Sequence, residues 1–183
     1  MRKIIAAINM TLDGYCDHTV GIADDELHDH YTEVLRRAGT LLYGRKTFEL
    51  MKYWQDVVKN PTGEKAMDEF AVVMDQTPKI VFSHTLKSTD WDSAKLATRP
   101  LQDEVLSLRQ QAGKDIFVGS PGLIATLTKL GLINEYQLCI HPIIAGHGLT
   151  LFKNINNQIM LELVGTKPFK SGAIVLYYQS KGE

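Results

Sequence analysis

The stretch DIFVGSPGLIATLTKLG, Asp115 to Gly131, decides how the chain is read. Asp115 to Val118 is a short apolar run of the kind that fills a buried strand. Gly119-Ser120-Pro121-Gly122 interrupts it with turn chemistry, and a helix is expected over Leu123 to Leu130 with Gly131 as its stop. A strand that passes through a glycine-rich turn into a helix leaves the first helical amides unpaired, and these form a ready site for an anion such as a pyrophosphate. A second junction of this kind is Tyr43-Gly44-Arg45-Lys46-Thr47, where Arg45 and Lys46 could add charge-assisted bonds to phosphate and Thr47 a hydroxyl. Neither junction is GxGxxG, or GxxxxGK followed by Ser or Thr, so the Rossmann and P-loop readings fail on their own motifs. The plainer account, tight turns with Arg45 as a solvated charge, stands beside the anion site.

Outward from these junctions, short apolar runs alternate with helix-period segments, which is the order of an α/β domain. Strands are expected at Ile4–Ile8, Thr40–Tyr43, Lys79–Ser83, Lys95–Thr98 and Asp115–Val118. Helices are expected from Asp24 to Ala38, stopped by Gly39, then from Gly44 through Met51, over Lys65–Met74 and over Leu101–Ala112. Tyr53 to Gly63, with Pro61, reads as a loop. After Gly131 the period becomes extended, and Glu135–Ile144, Met160–Thr166 and Ala173–Ser180 read as strands of a mostly antiparallel C-terminal third. No linker, repeat or low-complexity tract divides residues 1–183, so one domain is expected.

Composition excludes whole classes. The 183 residues are 44% hydrophobic and 22% charged, with 20 basic residues against 21 acidic. That balance gives no basic surplus for a nucleic-acid binder, and a chain of this length can bury roughly 70% of its unfolded surface without metal or disulfide staples. Cys16 and Cys139 form no C-x-x-C pair, which removes a structural zinc site and a disulfide framework. No apolar run reaches membrane-spanning length, and Asn9 and Asp13 interrupt the N-terminal apolar run. Cytoplasmic placement, without membrane or nucleic-acid partners, is the expectation.

Ile5-Ala6-Ala7-Ile8, Gly44-Arg45-Lys46-Thr47-Phe48-Glu49, Ile80-Val81-Phe82-Ser83 and Gly119 to Gly122 resemble dihydrofolate reductase in order and spacing. Gly131-Leu132-Ile133-Asn134-Glu135, the segment His141 to Gly148, and Leu151-Phe152 narrow the resemblance to the reductase domain at the C-terminus of the bifunctional riboflavin-biosynthesis enzyme RibD, and to stand-alone proteins of that type. The resemblance implies a three-layer, dihydrofolate reductase-like α/β fold, a mixed central sheet flanked by helices. It implies an NADPH site: Ala7 facing the nicotinamide amide, Gly44, Arg45, Lys46 and Thr47 at one helix start, Ser83 and His84 toward the adenosine end, and Gly119, Ser120, Gly122 and Leu123 around the pyrophosphate. It also implies hydride transfer to a small pterin-like, aminopyrimidine-like or ribosyl substrate, and a homodimer formed through the C-terminal strands. Where dihydrofolate reductases carry a first-helix carboxylate, this sequence has His28, with Asp25 on the same helix face. Asp13, in Thr11-Leu12-Asp13-Gly14, is the third catalytic candidate, as a substrate contact or an Asx turn. The altered first-helix position also admits a dinucleotide-binding sensor or stress protein without turnover.

Other constellations read structurally. Asp24, Asp25, His28, Asp29 and His30 invite a metal assignment, but a helix N-terminus explains the acids, so no metal is expected. Cys139 and His141 share a strand face, and a buried apolar cysteine is the simpler reading. Gly146-His147-Gly148 reads as a turn between strands, with His147 a minor candidate for the rim of a site. Trp54 and Trp91 read as packing residues.

Overall fold

The computed structural model describes residues 1–16 and 21–181. In chain order the elements are β1 (Ile4–Thr11), α1 (Asp25–Arg37), β2 (Ala38–Gly44), α2 (Arg45–Met51), α3 (Tyr53–Lys59), α4 (Lys65–Gln76), β3 (Lys79–Phe82), β4 (Ala94–Leu96), α5 (Leu101–Gln110), β5 (Asp115–Val118), α6 (Pro121–Lys129), β6 (Glu135–His141), β7 (Leu161–Pro168) and β8 (Ile174–Ser180). They fall into two compact units, Met1–Arg2 with Ala23–Phe117, and Lys3–Ile22 with Val118–Glu183.

In the first unit β4, β3, β2 and β5 are neighbours in that order, and the β2–β3 and β3–β4 pairs are parallel. Leu41, Leu42, Ile80, Val81, Ile116 and Phe117 are buried on these strands, and Leu27, Val34, Leu35 and Met74 on the helices. Asp24 starts α1 as anticipated: its carboxylate accepts a hydrogen bond of 2.8 Å from the Leu27 amide. Gly39, expected as a helix stop, instead lies inside β2. A Cβ there would stand 2.7 Å from the Lys114 carbonyl oxygen and 2.8 Å from the Arg2 guanidinium. Close approach of backbone, not chain reversal, is what requires glycine at this position.

The loop expected over Tyr53 to Gly63 is a correction. Tyr53–Lys59 is helical, because Trp54 and Val57, three apart, present one apolar face: Val57 is buried and Trp54 packs against Phe70 of α4 at 4.5 Å between ring centroids. Pro61 falls beyond the helix end, where it breaks no hydrogen bond of the ladder. Behind β3, the buried Lys79 Nζ donates to Met74 O at 2.5 Å, to Thr77 O at 2.7 Å and to Ser93 Oγ at 2.8 Å. The indole of Trp91 lies 4.0 Å from the same ammonium. A fourth acceptor, Asp75 O, lies at 3.4 Å, so this buried amino group ties the end of α4 to the 91–93 segment.

In the second unit the order is β1, β6, β8, β7. β1 runs parallel to β6, while β6–β8 and β7–β8 are antiparallel, as expected for the C-terminal strands. Strands of both senses alternating with helices give the α/β class. α6 starts at Pro121, earlier than Leu123, because proline is well suited to the first helical turn. Its end is a Schellman motif: Gly131, at φ +64°, donates to Thr128 O at 3.1 Å, and Leu132 donates to Leu127 O at 3.0 Å. The Tyr136 hydroxyl, bonded at 3.0 Å to Thr128 Oγ1, fastens α6 to one face of β6. Among the described residues, no helix is long and apolar enough to cross a membrane.

Candidate functional site

Gly44, the last residue of β2, leads directly into α2, and a glycine has no side chain with which to cap the helix. Arg45 and Lys46 are exposed while Thr47 and Phe48 are buried, so the two cations project to solvent from the helix start. Arg45 has a partner: its Nη1 donates to both Glu49 carboxylate oxygens, at 3.0 and 3.2 Å, one helical turn on. The i, i+4 spacing of the two residues made this pair legible in the sequence, although it did not enter the site reading.

The parallel β2–β3 register pairs Gly44 with Phe82, which places Ser83 beside the α2 start. The Ser83 hydroxyl oxygen accepts from the amides of Thr85 and Leu86, at 3.1 and 3.0 Å, and so builds the turn that follows β3. His84 is exposed in that turn.

On α1, Asp25 is exposed in the first turn. His28, half-buried one turn later, stands edge-on to Trp54 at 5.9 Å between ring centroids and tilted against Phe70 at 5.8 Å. Among the described residues no hydrogen bond joins the His28 ring to Asp25, so the histidine is held by aromatic packing and keeps its ring nitrogens for a ligand or solvent. Asp24 is occupied as the helix cap, and His30 is buried against Tyr31. Among the described residues, no group of three His, Cys, Asp or Glu side chains is placed to hold a metal ion.

In the second unit, Ala7 is partly exposed in the middle of β1, between the buried Ala6 and Ile8. At the β5–α6 junction Ser120 is buried but its side chain does not cap the helix. Pro121 has no N–H, so the first amides that can point outward belong to Gly122 and Leu123. A Cβ built on Gly122 would meet nothing within 4 Å, so open space lies beside those amides. This geometry suits an anion.

Asp13 acts as a clasp. Its Oδ1 accepts from the Thr11 hydroxyl at 2.6 Å and the Ala145 amide at 3.1 Å, and its Oδ2 from the Gly146 amide at 2.7 Å. The Thr11 hydrogen bond, with those from Gly146 and Ala145, holds its carboxyl down at about 2. A carboxylate so held is ionised at neutral pH and serves as an acceptor, not as an acid. It joins the Thr11–Gly14 turn to the 145–146 segment, where Gly146 at φ +75° and an exposed His147 form the expected turn.

Behind the clasp, His141 Nδ1 accepts from the Ile22 amide at 3.1 Å. Its proton is therefore on Nε2, which donates to Asn9 Oδ1 at 3.0 Å. Cys139 Sγ lies 3.8 Å from the same nitrogen but is fully buried, so the pair is packing and not a nucleophile. Cys16 is also buried, and burial pushes its thiol up to about 11.

Comparison with known proteins was made on this geometry. A family model described as the RibD C-terminal domain matches residues 2–175. The uncharacterized protein YyaP of Bacillus subtilis (strain 168) is 34% identical over 99% of this chain and 96% of its own length. Among solved structures, a putative riboflavin biosynthesis protein from Shewanella sp. PV-4 superposes with a TM-score of 0.74 at 19% identity, covering 100% of both chains. A dihydrofolate reductase from Enterococcus faecalis, solved with NADP(H), superposes with a TM-score of 0.66 at 14% identity, covering 98% of this chain and 97% of that one. The fold is thus the dihydrofolate reductase-like, three-layer α/β fold.

Proposed function

The chain belongs to the RibD C-terminal domain family, and on that premise we propose that it is an NADPH-dependent reductase of a small heterocyclic or ribosyl substrate. The observation that carries this reading is the β5–α6 junction, where the Gly122 and Leu123 amides stand at an uncapped helix start beside open space. A pyrophosphate fits such amides because they are donors at the positive end of a helix dipole. When bound, the dinucleotide supplies a hydride for reduction of a C=N or C=O bond. In the second unit, Gly119, Ser120, Gly122 and Leu123 cradle phosphate, and Ala7 offers a small, partly exposed position for the nicotinamide. In the first unit, Arg45 turns from Glu49 to a phosphate, Thr47 and Ser83 line the same strand ends, and His84 offers an exposed ring N–H as a donor. His28 orients the substrate or relays a proton, with Asp25 one turn away on the same face of α1.

The proposal extends to assembly. Ile144, Leu149, Ile159, Met160, Leu163 and Val164 are exposed by 43 to 76%, and β7 is the last strand in the order of the second unit. A second copy of the chain covering these residues accounts for an apolar surface that water would otherwise meet.

Thermal unfolding with NADPH, with NADH and with neither tests the cofactor assignment. The expected result is a midpoint raised by several degrees, more by NADPH, since a ligand at one hundred times its Kd stabilises by about 2.7 kcal/mol. No shift with either dinucleotide at millimolar concentration overturns it, and an unchanged affinity in Arg45→Ala removes Arg45 from the phosphate site.

A further inference from the structure

Gln137 sits in the middle of β6 and is 3% exposed. Its Nε2 donates to Glu135 Oε1 at 2.7 Å. Glu135 is itself near Lys3, with Nζ and Oε2 4.0 Å apart. A carboxylate can only accept, so it fixes which way the amide faces: the nitrogen must turn to Glu135, and the oxygen is left on the opposite side. That oxygen is buried and has no hydrogen-bond partner among the described residues. Flipping the amide would cure nothing, because it would set oxygen against oxygen and leave the NH2 group stranded. A buried acceptor held in this way is rare in a folded protein and calls for a donor from elsewhere.

The surroundings say what kind of donor fits. In the parallel β1–β6 register Gln137 is opposite Ala7, and in the antiparallel β6–β8 register it is opposite Tyr177. Side chains paired in this way share one face of a sheet, so Ala7, Gln137 and Tyr177 form a row across three strands. Both flanking residues are partly exposed while Gln137 is buried. Ala7 carries only a methyl group, the smallest side chain to stand beneath a flat ring, and Tyr177 adds an aromatic neighbour. We propose that the Gln137 carboxamide oxygen is a specificity-determining acceptor that binds an exocyclic NH2 on a planar ring lying over Ala7. Nicotinamide and an amino-substituted heterocyclic substrate both carry that group. The inference rests on the reductase reading for its ligands, but the residue and its orphaned oxygen are independent of it.

Isothermal titration of the full chain and of Gln137→Met tests the assignment with two pairs of probes, each differing in one NH2. The first pair is NADP+ and its 3-acetylpyridine analogue, in which a methyl ketone replaces the carboxamide. The second is 6-aminouracil and 6-methyluracil. In the wild type at least one pair should show about a tenfold preference for the NH2 member, as expected for a buried acceptor left unpaired by the other. Gln137→Met should reduce that preference to within about twofold while retaining the methyl-bearing ligand. Loss in the dinucleotide pair identifies the carboxamide as the donor, and loss in the uracil pair identifies the substrate amine. If Gln137→Met does not fold, Gln137→Asn, which withdraws the oxygen by one methylene, should lower the same preference. No preference in either pair, or a preference that survives both substitutions, overturns the inference. Failure of dinucleotides to bind at all refutes the cofactor reading instead, and the uracil pair then decides the role of Gln137 alone.

Discussion

Gly122→Ala separates the two reasons a glycine can occupy a helix start. If Gly122 served only the backbone, alanine would be harmless or better: the position is helical, its φ is not in the left-handed region, and an added Cβ meets nothing within 4 Å. Alanine is favoured over glycine by about 0.8 kcal/mol inside a helix, and by less this near the end. A gain of about 0.5 kcal/mol is expected without ligand, read as a rise of about 1 to 2 °C for a chain of this size. The same methyl group enters the space from which a phosphate would approach the Gly122 and Leu123 amides. An overpacking cost of about 1.4 kcal/mol, at the low end of such effects, raises Kd tenfold. At an NADPH concentration one hundred times the wild-type Kd, the wild type gains about 2.7 kcal/mol and the variant about 1.4 kcal/mol. The NADPH-induced rise in the midpoint therefore falls by roughly half, although the unliganded variant is the more stable protein. Differential scanning fluorimetry at fixed protein concentration measures both quantities. A variant that is stabilised and keeps the full NADPH shift refutes phosphate binding at this helix start.

Two further outcomes concern stability. Gly39→Ala drives a methyl group to 2.7 Å from the Lys114 carbonyl oxygen and 2.8 Å from the Arg2 guanidinium, which itself bonds Thr40 Oγ1 at 3.0 Å; a loss of about 2 to 4 kcal/mol is expected in urea unfolding, and a variant as stable as wild type contradicts the packing argument. For Lys79, burial pushes the ammonium down to about 7 against the opposing pull of Asp75. The unfolded chain then binds the extra proton between about pH 7 and 10.5, so this residue makes stability rise with pH across that window, by up to about 1.4 kcal/mol per unit. Unfolding of wild type and Lys79→Met from pH 7 to 9 should diverge with that sign, and parallel profiles would disprove it.

Most of the fold was legible because it is written in local chemistry. The acidic helix start at Asp24, the Gly131 stop, and the apolar strands Ile4–Ile8 and Asp115–Val118 each follow from neighbours in sequence. So did the two glycine junctions and, through their order, the family. Tyr53–Lys59 was misread because Pro61 and the mixed polarity pointed to a loop, while the helix depends on Trp54 finding Phe70, a contact between distant residues. Gly39 was misread for the same reason: its neighbours Arg2 and Lys114 are far away along the chain. Nothing near Asp13 in sequence announced that its carboxylate would accept from the Ala145 and Gly146 amides, more than one hundred residues away.

The sequence by itself determined which residue types could bind phosphate and where the chain alternates between strand and helix, since propensity, capping and turn chemistry act over a few residues. Tertiary structure alone decided which polar groups were satisfied. Arg45 leans on Glu49, Asp13 closes a turn, and Gln137 keeps a buried oxygen without a donor among the described residues. Hydrogen-bond satisfaction depends on what the whole fold brings within about 3 Å of each atom, and no local pattern encodes that distance.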